Sequence, residues 1–299
     1  MKYVSYIYDN LQSYGILNAN EDSVIPMKAI LDKMDKEVPS SLLAFIQKYS
    51  DRISDEISNT LNNSNLESIA LDNVKITAPI PNPPRNVFCL GKNYEEHVLE
   101  VQSTRLGKDS KVPDYPIYFT KIADSIIGPM DKVIIPKDYT EKIDYEVELA
   151  VIIGKDGKDI SQEKAEEYIF GYTIGNDISA RDIQVKHNQW FKGKSLDTFT
   201  PMGPYLVDKS EIKFPVELDI SCKINDELRQ NSNTRHLIFD IAYIIADLSK
   251  GLTLKAGDII LTGTPSGVGV GFKPHKYLKS GDTIECYVEK IGSLTNMVD

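Results

Sequence analysis

The chain has 299 residues, 41% hydrophobic and 26% charged, with 44 acidic side chains against 34 basic ones for a net charge of −10. This is the composition of a globular protein with ample material for a core, in one large domain or two unequal ones. The acidic excess argues against a partner gripped through nucleic-acid phosphates.

Cys89, Cys222 and Cys286 form no Cys-x-x-Cys pair, which points to reduced thiols rather than a disulfide framework or a zinc site. No apolar run approaches the roughly 18 residues that span a membrane. The start, MKYVSYIYDN, lacks the apolar core of a signal peptide, so the expected compartment is the cytoplasm.

Residues 1–77 read as a small α+β unit. Tyr3, Val4, Tyr6, Ile7 and Tyr8 have the composition of a strand. SYGILNANEDSVIPM reads as two short strands around the turn Asn18–Ser23. From Ser40 the period changes. Leu42, Leu43, Ile46, Tyr49, Ile53, Ile57 and Leu61 share one helical face, with Ser40 or Ser41 as cap and Asn62–Asn65 as stop.

APIPNPPR, residues 78–85, carries four prolines and reads as a linker. Residues 86–299 are rich in short strands and glycine turns, among them VFCLG, IYFTK, DKVIIP, DYEVELAVIIG, FGYTIGND and GDTIECYVE. A helix is expected between His236 and Gly251, where Leu237, Ile241, Ile244, Ile245 and Leu248 share a face. Few βαβ units are visible, so the fold class is mostly β with some α rather than a parallel Rossmann sheet. Leu-Lys-x-Gly-Asp-x-Ile occurs at 254–260 and 278–284, a reused turn into a strand and not a solenoid period.

In DYEVELA, residues 144–150, side chains alternate between faces, so Glu146 and Glu148 share one and Tyr145, Val147 and Leu149 the other. The two acids stand about 6.5–7 Å apart at a strand rise of about 3.3 Å per residue. Ionised, they repel by about 2 kcal/mol at an effective dielectric of 20. A solvent-facing strand would tolerate that. Val151, Ile152 and Ile153 run on without alternation, however, and imply burial of both faces. Acids at the mouth of such a strand need a cation, and hard oxygen donors suit Mg²⁺ or Mn²⁺ better than zinc.

Asp177, after the run GYTIGND, is either a further acid for that cation or the first residue of an Asx turn. Behind it lies a polar set of Arg181, Asp182, Gln184, Lys186, His187, Gln189 and Lys194, fit for an anionic substrate or for a solvated basic face. His97 and Glu100 are three apart in GKNYEEHVLE. On a helix they form either an ordinary surface pair or a carboxylate-oriented general base. Thr264, in TGTPSGVG, is within a glycine-rich turn after a strand. No amphipathic helix follows GVGVG, which excludes a dinucleotide loop, and Ser266 is in no G-x-S-x-G elbow.

Taken together, GKNYEEHVLE, DYEVELAVIIGK, FGYTIGNDISARDIQ, QWFKGKSLDTFTPMGP, GDIILTGTPSGVG and LKSGDTIECYVEKIG are similar, in order and over about residues 85–295, to the fumarylacetoacetate hydrolase family. The resemblance implies the family's mixed β-sandwich roll as catalytic domain, assembled as a homodimer. It implies Mg²⁺ or Mn²⁺ on Glu146, Glu148 and Asp177, and a catalytic His97–Glu100 dyad on a segment that can order as a lid. Arg181, Gln184, Lys194 and Thr264 fall where family members bind substrate or support the site, with Lys194 counted among the catalytic groups.

Founding members carry a further metal-binding Asp upstream of the dyad. PNPPRNVFCL has no acid, which places the chain with the shorter, three-carboxylate branch. The function this implies is metal-dependent C–C cleavage of a short anionic 2-oxo acid with release of pyruvate, as acylpyruvate hydrolase or oxaloacetate decarboxylase. The alternatives are an isomerase or hydratase of 2-oxo or 2-hydroxy dienoic acids, or a non-catalytic binding protein on the same fold.

Overall fold

The computed structural model describes residues 1–50, 52–102, 104 and 111–299. The first unit contains β1 (Lys2–Tyr8), β2 (Leu11–Leu17), β3 (Ser23–Pro26), α1 (Met27–Lys33), α2 (Leu42–Tyr49), α3 (Ser54–Asn63), β4 (Ile69–Ala70) and β5 (Lys75–Ile76). The two strands expected around Asn18–Ser23 are β2 and β3.

The single helix expected after Ser40 is two helices. Ser41 caps the first through Ala44 N, and Ser50 ends it in the left-handed region at φ 52°. A left-handed residue cannot continue a right-handed helix, so the shared apolar face crosses a bend. Asp51, inside the expected helix, lies outside the described residues. α1 was not anticipated, since seven residues after a proline give too short a window for periodicity.

The remaining elements are β6 (Val87–Gly91), α4 (Glu95–Val101), β7 (Ile117–Lys121), β8 (Ile126–Ile127), β9 (Lys132–Val133), β10 (Ile143–Asp144), β11 (Val147–Ile153), β12 (Ile169–Asn176), β13 (Ser179–Ala180), α5 (Arg181–Lys186), α6 (Phe191–Lys194), β14 (Thr200–Asp208), β15 (Asp219–Ile224), β16 (Glu227–Asn233), α7 (Ile241–Leu248), β17 (Ile259–Leu261), β18 (Thr283–Val288) and β19 (Gly292–Val298). α7 is shorter than the helix expected from His236, because Asp240 accepts from Tyr243 N and sets the start.

A large mixed sheet runs β4-β3-β2-β1-β14-β12-β11-β17-β6-β7, and a second runs β16-β15-β18-β19-β9. Strand β1 pairs with β14 (Tyr3↔Leu206), so the first unit extends the sheet that carries β11 and β12. The proline stretch packs closely, with Ala78 and Ile80 buried and Ser5 Oγ donating to Pro79 O at 2.7 Å.

Strand β11 lies at the centre of the fold, and all seven of its residues are buried. Val147, Leu149, Val151 and Ile153 enter the core shared with the second sheet through Ile220, Ile284 and Val288. Ala150 and Ile152 face the other way, into a core with Tyr3, Phe45 and Phe170. Glu146 and Glu148 share parity with that second face, so the strand that carries them has no solvent side.

Candidate active site

Antiparallel pairing of β11 with β12 sets Glu148 opposite Gly175 and Val147 opposite Asn176. Just beyond, Asp177 N donates to Glu146 O at 2.8 Å, and Glu146 N donates to Asn176 Oδ1 at 3.0 Å. These bonds fix three acids at the ends of two central strands. Glu146, Glu148 and Asp177 are all buried, with one oxygen of each within 4.8 Å of the others. Two unit charges at that distance repel by about 3 kcal/mol at an effective dielectric of 20.

Buried cations offset most of this. Lys194 Nζ bridges Glu146 Oε2 and Asp177 Oδ2, 2.6 Å from each. Lys121 Nζ pairs with Asp177 Oδ1 at 2.6 Å and donates to Ile178 O at 3.0 Å. Arg181 Nη1 meets Glu146 Oε1 at 2.7 Å, and its Nε meets Asp144 Oδ2 at 2.8 Å. Asp144 also accepts from the backbone N–H of Gly269 at 2.6 Å and Val270 at 2.9 Å. It is thus an anchor for Arg181 and for the turn after Thr264, which the sequence left unassigned.

Glu148 is the exception. It accepts from Gly263 N at 2.6 Å, and no ion pair reaches it among the described residues. Burial, then the charges of Asp177 and Glu146, push its carboxyl well above the usual range. Burial opposes ionisation of Glu146 too, but Lys194 and Arg181 overcome it and hold that carboxyl well below the usual range. Burial likewise works against the charge on Lys194, yet Asp177 and Glu146 raise its pKa.

Hard oxygen donors this close, one of them without a counter-charge, fit a divalent cation. Among the described residues, four buried carboxylates at this site, Asp144 included, face three buried cations, so one negative charge is unmatched there.

His97 and Glu100 lie on α4, with Nδ1 and Oε2 3.3 Å apart. Glu100 Oε1 accepts from Gly267 N at 2.8 Å. A Cβ on Gly271 would lie 2.2 Å from that same oxygen, so only glycine allows the carboxylate its place. Thr264 braces the strand rather than an acid. Its Oγ1 donates to Val147 O at 2.9 Å and accepts from Gln230 Nε2 at 2.8 Å, while Gln230 Oε1 takes Val147 N at 3.1 Å.

His97, Glu146, Glu148, Arg181, Gln184, Lys194 and Thr264 line one narrow cleft of about 30 Å³, with Lys92 and Trp190 at its wall. Asp177 and Glu100 do not line the cleft themselves but contact the lining residues Lys194 and His97. A larger cleft of about 750 Å³ near Arg85 and Lys255 gathers no such cluster. Arg85 is paired there with Asp258, Lys255 with Asp156 and Lys155 with Glu167, while Arg52 donates to the backbone carbonyls of Lys48 and Tyr49.

Lys92 adopts φ +57°, which costs a side-chain-bearing residue about 1–2 kcal/mol. Asn93 holds it there. The Asn93 side chain donates to Thr262 O at 2.8 Å and Phe239 O at 3.0 Å and accepts from Phe239 N at 2.8 Å. Lys121, Gln230 and Gly263 were not found from sequence. Lys121 closes an ordinary apolar strand, Gln230 is one polar residue in ELRQNSN, and Gly263 acts through its backbone.

The profile "Fumarylacetoacetate (FAA) hydrolase C-terminal" matches residues 86–299. The chain belongs to the fumarylacetoacetate hydrolase family. It is 50% identical over 229 residues to the oxaloacetate tautomerase YisK of Bacillus subtilis, covering 77% of this chain and 74% of that one. It is 41% identical over 270 residues to the mitochondrial oxaloacetate tautomerase fahd2 of Xenopus laevis, covering 90% and 81%. The solved fumarylacetoacetate hydrolase of Exiguobacterium antarcticum superposes with a TM-score of 0.83 at 37% identity, covering 100% of this chain and 99% of that one. The open mixed sheets are the fold of this family, whose named members here are enzymes. No helix among the described residues is long and apolar enough to cross a membrane.

Proposed function

We propose that the chain is a divalent-metal-dependent tautomerase of oxaloacetate, interconverting its keto and enol forms. The observation that carries this reading is the meeting, in one small cleft, of the Glu146–Glu148–Asp177 cluster, buried cations and a His–Glu pair. The sequence similarity to oxaloacetate tautomerases over most of the chain supports oxaloacetate as the substrate. This moves the emphasis from the C–C cleavage that the family resemblance implied to an isomerisation, on a substrate other than the dienoic acids of the alternative.

Tautomerisation breaks one C3–H bond, turns its electron pair into the C2–C3 double bond and adds a proton at the 2-oxo oxygen. Bound on Glu146, Glu148 and Asp177, a Mg²⁺ or Mn²⁺ ion supplies a Lewis acid for the 2-oxo group. His97 takes or returns the C3 proton. Glu100 occupies its Nδ1, which leaves Nε2 for the exchange. Lys194, kept charged by Glu146 and Asp177, is a fixed positive group for the developing enolate. Arg181 and Gln184 hold the substrate carboxylate, and Thr264 keeps Val147 and its flanking acids in register. The same reading includes the homodimer that the family resemblance implies and a cytoplasmic location.

A second reading has one observation in its favour. The His97–Glu100 pair is also the arrangement that activates water, so acylpyruvate hydrolysis remains in view, and decarboxylation of oxaloacetate, which leaves the enolate of pyruvate, develops charge on the same 2-oxo oxygen. Purified protein with Mn²⁺ should speed the approach of oxaloacetate to keto–enol equilibrium, followed by enol absorbance, far more than it releases pyruvate. Pyruvate release at or above the tautomerisation rate would replace the tautomerase reading with C–C cleavage. Neither activity would sink both.

A further inference from the structure

We propose that Tyr145 is a positioning residue for the His97–Glu100 pair, acting through the backbone of Gly267. The inference rests on the reading of His97 as the proton-transfer group and deepens it. Tyr145 sits between β10 and β11, next to Glu146, and is fully buried. Its hydroxyl donates to Gly267 O at 3.0 Å, and Gly267 N donates to Glu100 Oε1 at 2.8 Å. Glu100 Oε2 in turn meets His97 Nδ1 at 3.3 Å. These links join the segment that carries the clustered acids to the imidazole.

Gly267 is built to transmit the contact. It adopts φ +103°, which glycine alone enters at little cost, and a Cβ there would collide with Arg229 O. Both of its backbone polar groups are committed, the carbonyl to Tyr145 and the N–H to Glu100. The turn beyond it is held by the neighbouring residue, since Asp144 accepts from Gly269 N and Val270 N. Val268 and Val270 pack on Val101, the last residue of α4. Arg229 Nη1, 3.5 Å from the Tyr145 hydroxyl, donates to it and leaves the phenol proton for Gly267 O.

The helix of seven residues that carries the pair cannot supply this precision by itself. A carboxylate with one oxygen on an imidazole and the other free can rotate, and the ring then loses its fixed tautomer. Gly267 N–H takes the second oxygen, and Tyr145 keeps that N–H aimed. Without the hydroxyl the Gly267 carbonyl loses that donor, and the turn can shift to recover one from elsewhere.

Kinetics on oxaloacetate at saturating Mn²⁺ and ¹⁵N-imidazole NMR of the protein without substrate test this together. Tyr145→Phe should lower kcat about tenfold, as for a modest misplacement of a proton-transfer group, with KM and Mn²⁺ affinity within about twofold of wild type. In a His97→Ala background it should cost nothing further, because its effect passes through that ring. At about pH 8.5, above the ordinary imidazole range, His97 should show Nδ1 protonated and Nε2 bare in wild type, and a mixture of tautomers in Tyr145→Phe. Tyr172→Phe is the control. It removes another buried tyrosine hydroxyl, one without a hydrogen-bond partner among the described residues, and should change neither readout. Unchanged turnover or an unchanged His97 tautomer in Tyr145→Phe, a parallel fall in Mn²⁺ affinity, or the same loss in the His97→Ala background overturns the proposal. If the His97 tautomer depends on Tyr145 while wild type leaves oxaloacetate unchanged, the tautomerase reading fails and the Tyr145 clamp stands.

Discussion

Glu146, Glu148 and Asp177 stand at the ends of two paired central strands, with their cations and backbone donors buried around them. His97 and Glu100 stand instead on a seven-residue helix, tied back through Gly267 N, with Glu100 still 17% exposed. The contrast follows from the two tasks. Like charges held within 4.8 Å need a frame that cannot relax apart, and a central strand with both faces packed supplies one. A proton-transfer group must exchange its proton, so it suits a short element with access to the cleft mouth. Damage to the first region should therefore remove the charge centre itself, and damage to the second should slow the chemistry around an intact centre.

The largest effect expected is that of Glu148→Ala. It removes the one acid of the cluster without a cation partner among the described residues, and should lower turnover on the order of 10³-fold together with Mn²⁺ affinity. Calorimetric titration with Mn²⁺ checks this. Unchanged affinity would mean that the three acids are not the metal site.

His97→Ala should cost about 10²-fold in turnover, as for loss of a general acid–base group, with Mn²⁺ affinity unchanged. Run on oxaloacetate and an acylpyruvate in parallel, the variant also sharpens the chemistry. Decarboxylation needs no attacking water and should lose least. If Mn²⁺ affinity falls along with turnover, the two regions are not separable in the way their frames suggest.

These expectations also mark what the sequence could convey. Glu146 and Glu148 stood out because acids break the pattern of an otherwise apolar strand, and the long run to Ile153 implied that both faces were covered. His97 and Glu100 were legible as a local i,i+3 pair. Lys121 was not, because nothing local distinguishes a lysine closing IYFTK from a solvated strand end. Its burial comes from β7 lying at the sheet edge beneath α6. Asp144 was visible, but its role depends on Arg181, Gly269 and Val270, distant in sequence. The bend at Ser50 escaped for a related reason. Periodicity reports which face is apolar, and two consecutive helices can share that face.

Asp144→Asn separates structure from chemistry within the acidic region. Asp144 is as buried as the three clustered acids and two residues from Glu146, yet its oxygens are taken by Arg181 and by backbone N–H groups. Neutralising it leaves the guanidinium short of a buried partner, which costs about 3–5 kcal/mol. Urea denaturation should show that loss while Mn²⁺ affinity of the folded protein changes little. A variant of full stability with weakened Mn²⁺ binding would make Asp144 a ligand.

The smallest effect concerns the charge that the cluster leaves unmatched. Glu148 has a folded pKa above its unfolded value of about 4.5, so the folded state binds the extra proton. Unfolding then releases it, and stability from this group is fully present below the unfolded value and falls as pH rises above it. Glu146 runs the other way. Its folded pKa lies below the unfolded value, so its contribution is present above about pH 4.5 and is lost as pH falls. Glu148→Gln isolates the first term, because the amide keeps the shape and removes the charge. In chelator-treated protein at pH 7 the variant should melt roughly 2–5 °C above wild type, and the gap should close by about pH 4, where both states of Glu148 are protonated. Added Mn²⁺ should reverse the order at pH 7, since only wild type then keeps its full set of oxygen ligands. A variant less stable than wild type in chelator at pH 7 would mean that the carboxylate is already balanced, and that the unmatched charge does not reside on Glu148.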